Sequence, residues 1–472
     1  MKERIIYIAV ILILASTVLG ISGFSEGDPD KNVIWIAEPQ FDDAWHFYEG
    51  LAAIKINDKW GFINNKGKMV ITPQFDDAFR FSNGVAYILQ GTYGFINSKG
   101  QIIIKPQFEE VRSFSENFAA VKQNDKWGFI NKEGMFIAEP QYDSVSDFNE
   151  GLACIEINKK YGYINGTGQQ IIKPGFDFAR SFSEGLATVE INNKWGFINK
   201  NGDIIINPQF DDSSDFSEGL AAVKIADHYG YINHKGYTVI KPQFKIAHSF
   251  SEGLAAIYIN NKWGFVNKEG DITIRPQFDA ISDFSEGLAI AAIQGIGLGY
   301  VNKEGEQIID LQYSYGFSFS QGLARIKQNE KFGYINKRGE MIIKPQFDDN
   351  GWSEYDDSWH IFSEGITIVR INGKYGYIKN PFTARHLENN SEHLGPYIGT
   401  VNSISSNEVV ISGVNIANTI QMGDRLCLYS GNEMIILKST FPMQTISKCS
   451  VISGNIKNIR PGMKVYRYKE RK

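Results

Sequence analysis

Cysteine is nearly absent: three in 472 residues, too few to staple a chain of this length into a disulfide framework. Cys154 stands where sister segments carry Ala53, Ala120, Ala222 and Ala256, so it reads as a small packed residue. Cys427 and Cys449 lie near the C-terminus, where they either pair in an oxidising compartment or remain separate thiols. Proline is scarce too, 14 against 46 glycines, which favours many turns over a disordered chain. His46, His228, His234, His248 and His360 lack metal-ligand spacing and read as surface residues. The glycines of Gly295–Gly299 superficially suggest a nucleotide loop, but no helix follows to cradle a phosphate. No catalytic, cofactor or metal constellation stands out.

Only one long apolar run occurs. Lys2 and Arg4 precede Ile5–Leu14 and Val18–Gly20, and small residues follow at Ser22 and Gly23. This is the layout of a secretory signal over residues 1–24, with an uncleaved membrane anchor as the other reading. Either places the rest of the chain outside the cytoplasm, in the periplasm, envelope or medium.

What the chain does have is repetition. An aromatic-glycine pair recurs about every 34 residues, at Trp60-Gly61, Tyr93-Gly94, Trp127-Gly128, Tyr161-Gly162, Trp195-Gly196, Tyr229-Gly230, Trp263-Gly264, Phe332-Gly333 and Tyr375-Gly376, with a degenerate copy at Leu298-Gly299. Such a period marks a stacked or radial array. Within a copy, GLAAVKI alternates as a strand and ends in a two-residue turn such as Asn57-Asp58. KWGFIN forms a second strand, and Asn64-x-x-Gly67 and its counterparts fit a type I turn capped by the Asn side chain. A third strand is expected to stop at its proline. The glycine before the first strand (Gly50 and its counterparts) becomes Asn117 in one copy, as a left-handed backbone would require.

The pattern [WYF]-G-[FY]-[IV]-[ND]-x-x-G, a proline, then F-D and F-S-E-G-L-A resembles the WG, or KWG, β-repeat proteins of bacteria. The resemblance covers residues 34–380 and implies a binding or scaffolding module with no shared catalytic residues. The expected fold is all-β: ten three-stranded meanders, arranged as an open superhelix or solenoid in preference to a closed propeller, because ten units exceed the usual four to eight blades.

Two regions fall outside the refrain. Fifteen steps separate Phe347 from Phe362 where other copies have six, and the extra residues carry Trp352, Glu354, Tyr355, Asp356, Asp357 and Trp359. That insert either caps the end of the array or contacts a ligand through aromatics beside carboxylates. Residues 381–395 read as a linker. Residues 396–472 hold ten Lys/Arg against four Asp/Glu and echo themselves (VISGVNIANTIQMGDRLCLY, VISGNIKNIRPGMKVYRY), which suggests a small basic β-barrel. Lys457, Arg460, Lys464 and Arg467 are its candidate contacts with an anionic partner.

The carboxylate pairs Asp42-Asp43, Asp76-Asp77, Glu109-Glu110, Asp211-Asp212 and Asp348-Asp349 recur in equivalent places, which favours turn capping over catalysis. The expected function is an exported, non-enzymatic binding or scaffold protein for a protein or cell-envelope polymer. No nucleic acid is expected, no cofactor, and membrane contact only through an uncleaved N-terminal segment. The alternative is a glycan-active hydrolase using one carboxylate pair.

Overall fold

The computed structural model describes residues 33–349 and 362–382, and strands between 394 and 468. Leu51–Ile56 and Lys59–Asn64 form a hairpin with Leu51 opposite Asn64 and Ile56 opposite Lys59. Its turn places Asn57 and Asp58 at φ 50° and 60°, the doubly left-handed geometry of a tight hairpin. At the next turn Asn64 Oδ1 accepts from the Lys66 and Lys68 amides, both at 3.0 Å, and Gly67 sits at φ 74°. Side-chain capping and a left-handed glycine thus stop one strand and launch the next.

The strand Met69–Phe75 does not end at its proline, as expected from sequence. It continues through Pro73, because Trp60 pairs with Phe75 while Phe62 pairs with Ile71. Two residues on one strand span four on the other, so the outer strand bulges. The bulge explains the invariant-looking glycine of the refrain: a Cβ on Gly196 would lie 2.6 Å from both the Ile206 oxygen and the Pro208 nitrogen.

The three-stranded unit is also corrected. A two-residue strand, Asp43–Ala44, pairs with Leu51–Ile56 on the side away from the bulged strand. Nine sheets have this four-stranded form. The open solenoid is overturned as well: Ile34–Phe41 pairs antiparallel with Lys374–Lys379, placing the first strand of the array beside its last hairpin. The repeats therefore close into a ten-bladed β-propeller.

The core lies between blades, not within them. Leu51, Trp60, Phe62, Ile71 and Phe75 of the first blade pack on Ala78, Phe81, Ala86, Ile88 and Ile96 of the second. The closing junction is built alike, with Ala37, Phe41, Ile366, Ile368, Tyr375 and Tyr377 against Ala44, Phe47, Ala52, Ile54 and Ile63. Each blade's apolar face is covered only by its neighbour, as repeat architectures require.

On one face the Ser-Glu-Gly turns bond blade to blade. Ser183 Oγ donates to the Phe216 oxygen at 2.9 Å and Ser217 Oγ to the Phe250 oxygen at 2.8 Å. The Glu184 and Glu218 carboxylates accept from the amides of Gly219 and Gly253. These turns form a rim of blade-to-blade bonds on that face. Asn83 and Gln321 replace the glutamate in two blades.

The C-terminal strands form a closed barrel in the order Leu394–Ile404, Val409–Ser412, Ile446–Ser453, Glu433–Pro442, Arg425–Ser430, Lys464–Tyr468. The echoing strands pair with one another: Val409 opposite Cys449, and Leu426 opposite Arg467. Among the described residues, no helix is long and apolar enough to cross a membrane.

Candidate functional site

The expected site residues divide by location. Trp352, Glu354, Tyr355, Asp356, Asp357 and Trp359 of the insert lie outside the described residues, as do Lys457 and Arg460 and the N-terminal segment. Lys464 and Arg467 fall on the barrel strand Lys464–Tyr468, three positions apart.

The face opposite the Ser-Glu-Gly rim carries the hairpin turns, and there the repeated carboxylates are all engaged. Asp42 accepts from the Asn57 amide at 2.7 Å and from Lys374 Nζ. Asp76 accepts from the Gly91 amide at 3.2 Å and from Lys59 Nζ at 2.5 Å. Glu109, Asp143, Asp177, Asp279 and Asp348 cap the corresponding amides of Asn124, Asn158, Asn192, Gln294 and Asn372. Each lysine comes from the preceding blade, so one carboxylate ties a turn to its neighbour.

The second member of each pair turns elsewhere. Asp43 and Asp77 bond the amides of their own successors, Ala44 and Ala78. The two members also titrate apart. The Lys374 ammonium and Asn57 amide hold the Asp42 carboxyl below its ordinary value, whereas burial pushes the Asp43 carboxyl up. Split values of this kind are what an acid–base pair needs. Here, however, the two carboxylates are committed to different backbone partners instead of converging on a shared space.

Four departures from the repeat were missed in the sequence. Arg325 occupies the position of Ala53, Ala120, Cys154 and Thr188. It is buried, its guanidinium 3.8 Å from the Phe332 ring centroid, and Nη2 donates to the Asp348 oxygen at 3.2 Å. It therefore borders the point where the insert leaves the ninth blade. His46, expected at the surface, is buried. His234 stacks on Phe216 at 4.2 Å and faces Glu184 at 3.2 Å, replacing the lysine that contacts this rim as Lys200, Lys268 and Lys303. The fourth departure inverts the carboxylate-lysine pair: His228 stands at the lysine position and Lys245 at the carboxylate position. Comparing repeats for the residue before the aromatic, and not only for the aromatic, would have found it.

Comparison with known proteins gives one strong result. A family profile described as WG containing repeat matches residues 35–60, 60–91, 93–127, 127–161, 161–195, 195–227, 229–263, 263–295, 299–332, 332–349 and 353–375. No curated protein matches the chain. Among solved structures, a eukaryotic initiation factor is 11% identical with TM-score 0.43, covering 62% of this chain and 95% of that one. BamB from Moraxella catarrhalis is 9% identical with TM-score 0.31, over 72% and 96%. The extracellular domain assigned to a one-component system of B. thetaiotaomicron is 9% identical with TM-score 0.27, over 87% and 80%. The propeller assignment rests on the strand pairing above and not on these likenesses.

Proposed function

The chain belongs to the family of WG-repeat proteins, and from that premise we propose that it is an exported, non-enzymatic binding or scaffold protein. Its partner is a protein or a cell-envelope polymer, held on the faces of a ring and not along an extended array. The observation that supports this reading is the occupation of the repeated carboxylates. Asp42, Asp76, Asp143 and Asp177 each cap a hairpin amide and meet a lysine of the preceding blade. Groups committed to the frame at eight junctions are poor candidates for one active centre.

Export rests on the layout of residues 1–24. The basic barrel supplies a second contact surface with anionic polymer through Lys457, Arg460, Lys464 and Arg467.

The test uses the full-length protein as bait in solubilised envelope fractions, alongside an assay for hydrolysis of envelope glycans. Capture of a defined partner without glycan turnover supports the reading. Turnover abolished by one carboxylate change overturns it in favour of a hydrolase.

A further inference from the structure

The hairpin face repeats one device around the ring, and one junction inverts it. At eight positions the residue after the outer strand is a carboxylate: Asp42, Asp76, Glu109, Asp143, Asp177, Asp211, Asp279 and Asp348. Seven of them meet a lysine of the preceding blade. At one further position Ser314 is neutral and bonds the Lys327 oxygen. Between the sixth blade (Asp212–Phe244) and the seventh (Ile246–Phe278), the position holds Lys245 and the usual lysine is His228.

Two consequences follow from chemistry already on that face. The hairpin amide of Asn260, counterpart of those capped at Asn57, Asn158 and Asn192, has lost its carboxylate, since residue 245 is a lysine. Lys224 and Lys245 are moreover in no ion pair among the described residues. Both cations, with His228 and Asn260, line a groove of about 520 Å³. The groove also holds Ile259 and Ile246, the latter 40% exposed.

We propose that this junction is a binding site for a ligand carboxylate carried on aliphatic surface. The ligand supplies the group that the protein supplies elsewhere, between a hairpin amide and cationic side chains, and its aliphatic part covers Ile246 and Ile259. A carboxylate fits better than a phosphate because the other junctions show that this amide-and-cation arrangement accepts a single carboxylate. The site deepens the binding reading above, on which it rests, by naming a place and a ligand chemistry.

The repeat provides its own control variant. Lys245→Asp combined with His228→Lys rebuilds the pair that seven junctions already carry, so the fold is retained. Full-length protein and this variant are titrated calorimetrically with hexanoate, with hexanamide as the neutral counterpart, and with a capped Leu-Asp-Leu peptide. The expected result is saturable hexanoate binding by the natural protein, weakened at least tenfold in the variant and at least tenfold for hexanamide. Tighter binding of the peptide than of hexanoate identifies an acidic peptide as the source, and the reverse identifies a small aliphatic acid. Equal hexanoate affinity in both proteins, equal affinity for the amide, or no saturable binding of either carboxylate overturns the site. Inorganic phosphate binding more tightly than hexanoate overturns it as well. Any of these failures leaves the envelope-capture result standing, so the two readings fail separately.

Discussion

The junction that closes the ring and the nine others are made of the same contacts, yet the blade at the closure is assembled from two distant stretches of chain, Ile34–Phe41 and Ile366–Lys379. At the closure Ser363 Oγ donates to the Phe47 oxygen at 2.6 Å, the Gly50 amide donates to Glu364 at 2.9 Å, and Lys374 meets Asp42. Tyr377 donates to the Trp45 oxygen at 2.7 Å, as Tyr231 does to the His248 oxygen within the chain. These closing partners stand 314 to 332 residues apart. Local geometry is therefore indifferent to connectivity. What differs is the entropy of bringing the ends together, which grows only slowly with loop length.

The sharpest way to break the equivalence is to delete Ile34–Phe41. This removes buried Ala37 and Phe41 and exposes the edge of Lys374–Lys379. A loss on the order of 5 kcal/mol is expected at the urea midpoint, together with a larger hydrodynamic radius. A radius and midpoint equal to those of the intact protein would mean that the ring does not depend on its closing strand.

A smaller effect is expected from Gly376→Ala, whose Cβ would lie 2.7 Å from the Pro39 nitrogen and 2.8 Å from the Ala37 oxygen. Gly196→Ala makes the same clash inside the chain. Both should cost about 2–3 kcal/mol. Limited proteolysis separates them, because only Gly376→Ala should release the N-terminal strand; equal cleavage patterns would argue against a strand held by its pairing with Lys374–Lys379.

Tyr377→Phe and Tyr231→Phe each remove one buried hydroxyl and should each cost about 1 kcal/mol. Unequal losses in matched thermal melts would show that the closing junction is strained.

The smallest effect is electrostatic. Asp42 and Asp143 are both held below the ordinary carboxyl value, by Lys374 and Lys126 with the hairpin amides of Asn57 and Asn158. A lowered value in the folded state gives stability that is present above the ordinary carboxyl range and lost as pH falls through the folded value. Asp42→Asn and Asp143→Asn should therefore each flatten the acid side of the stability profile slightly, because exposed pairs contribute little. Burial raises the Asp43 carboxyl, so that group acts with the opposite sign and offsets part of the loss. An unchanged acid limb in Asp42→Asn would remove the closing ion pair from the account.

Local chemistry was legible and distant pairing was not. The hairpin at Asn57-Asp58 and the turn at Asn64–Gly67 are written in residues that tolerate left-handed backbone, so both could be read. The strand Asp43–Ala44 could not, because two residues carry no alternation and sit in a polar connection. Closure escaped too, since nothing in Ile34–Phe41 announces a partner beyond residue 370. The landmark ring is not the most buried aromatic of its strand: Trp195 is only half-buried, whereas Phe197, two positions on, is 1% exposed. At the candidate site the inversion at His228 and Lys245 was hidden by attention to what the repeats share.

Closure by the first strand also sets an order of events. Ile34–Phe41 leaves the ribosome, or emerges across a membrane, long before Lys374–Lys379 exists to receive it. Until then its backbone groups are an unsatisfied edge, open to any other strand. The last blade waits in the same way, and a second copy's first strand competes for it in proportion to concentration. Refolding yield should therefore fall as protein concentration rises, with exchanged dimers as the by-product.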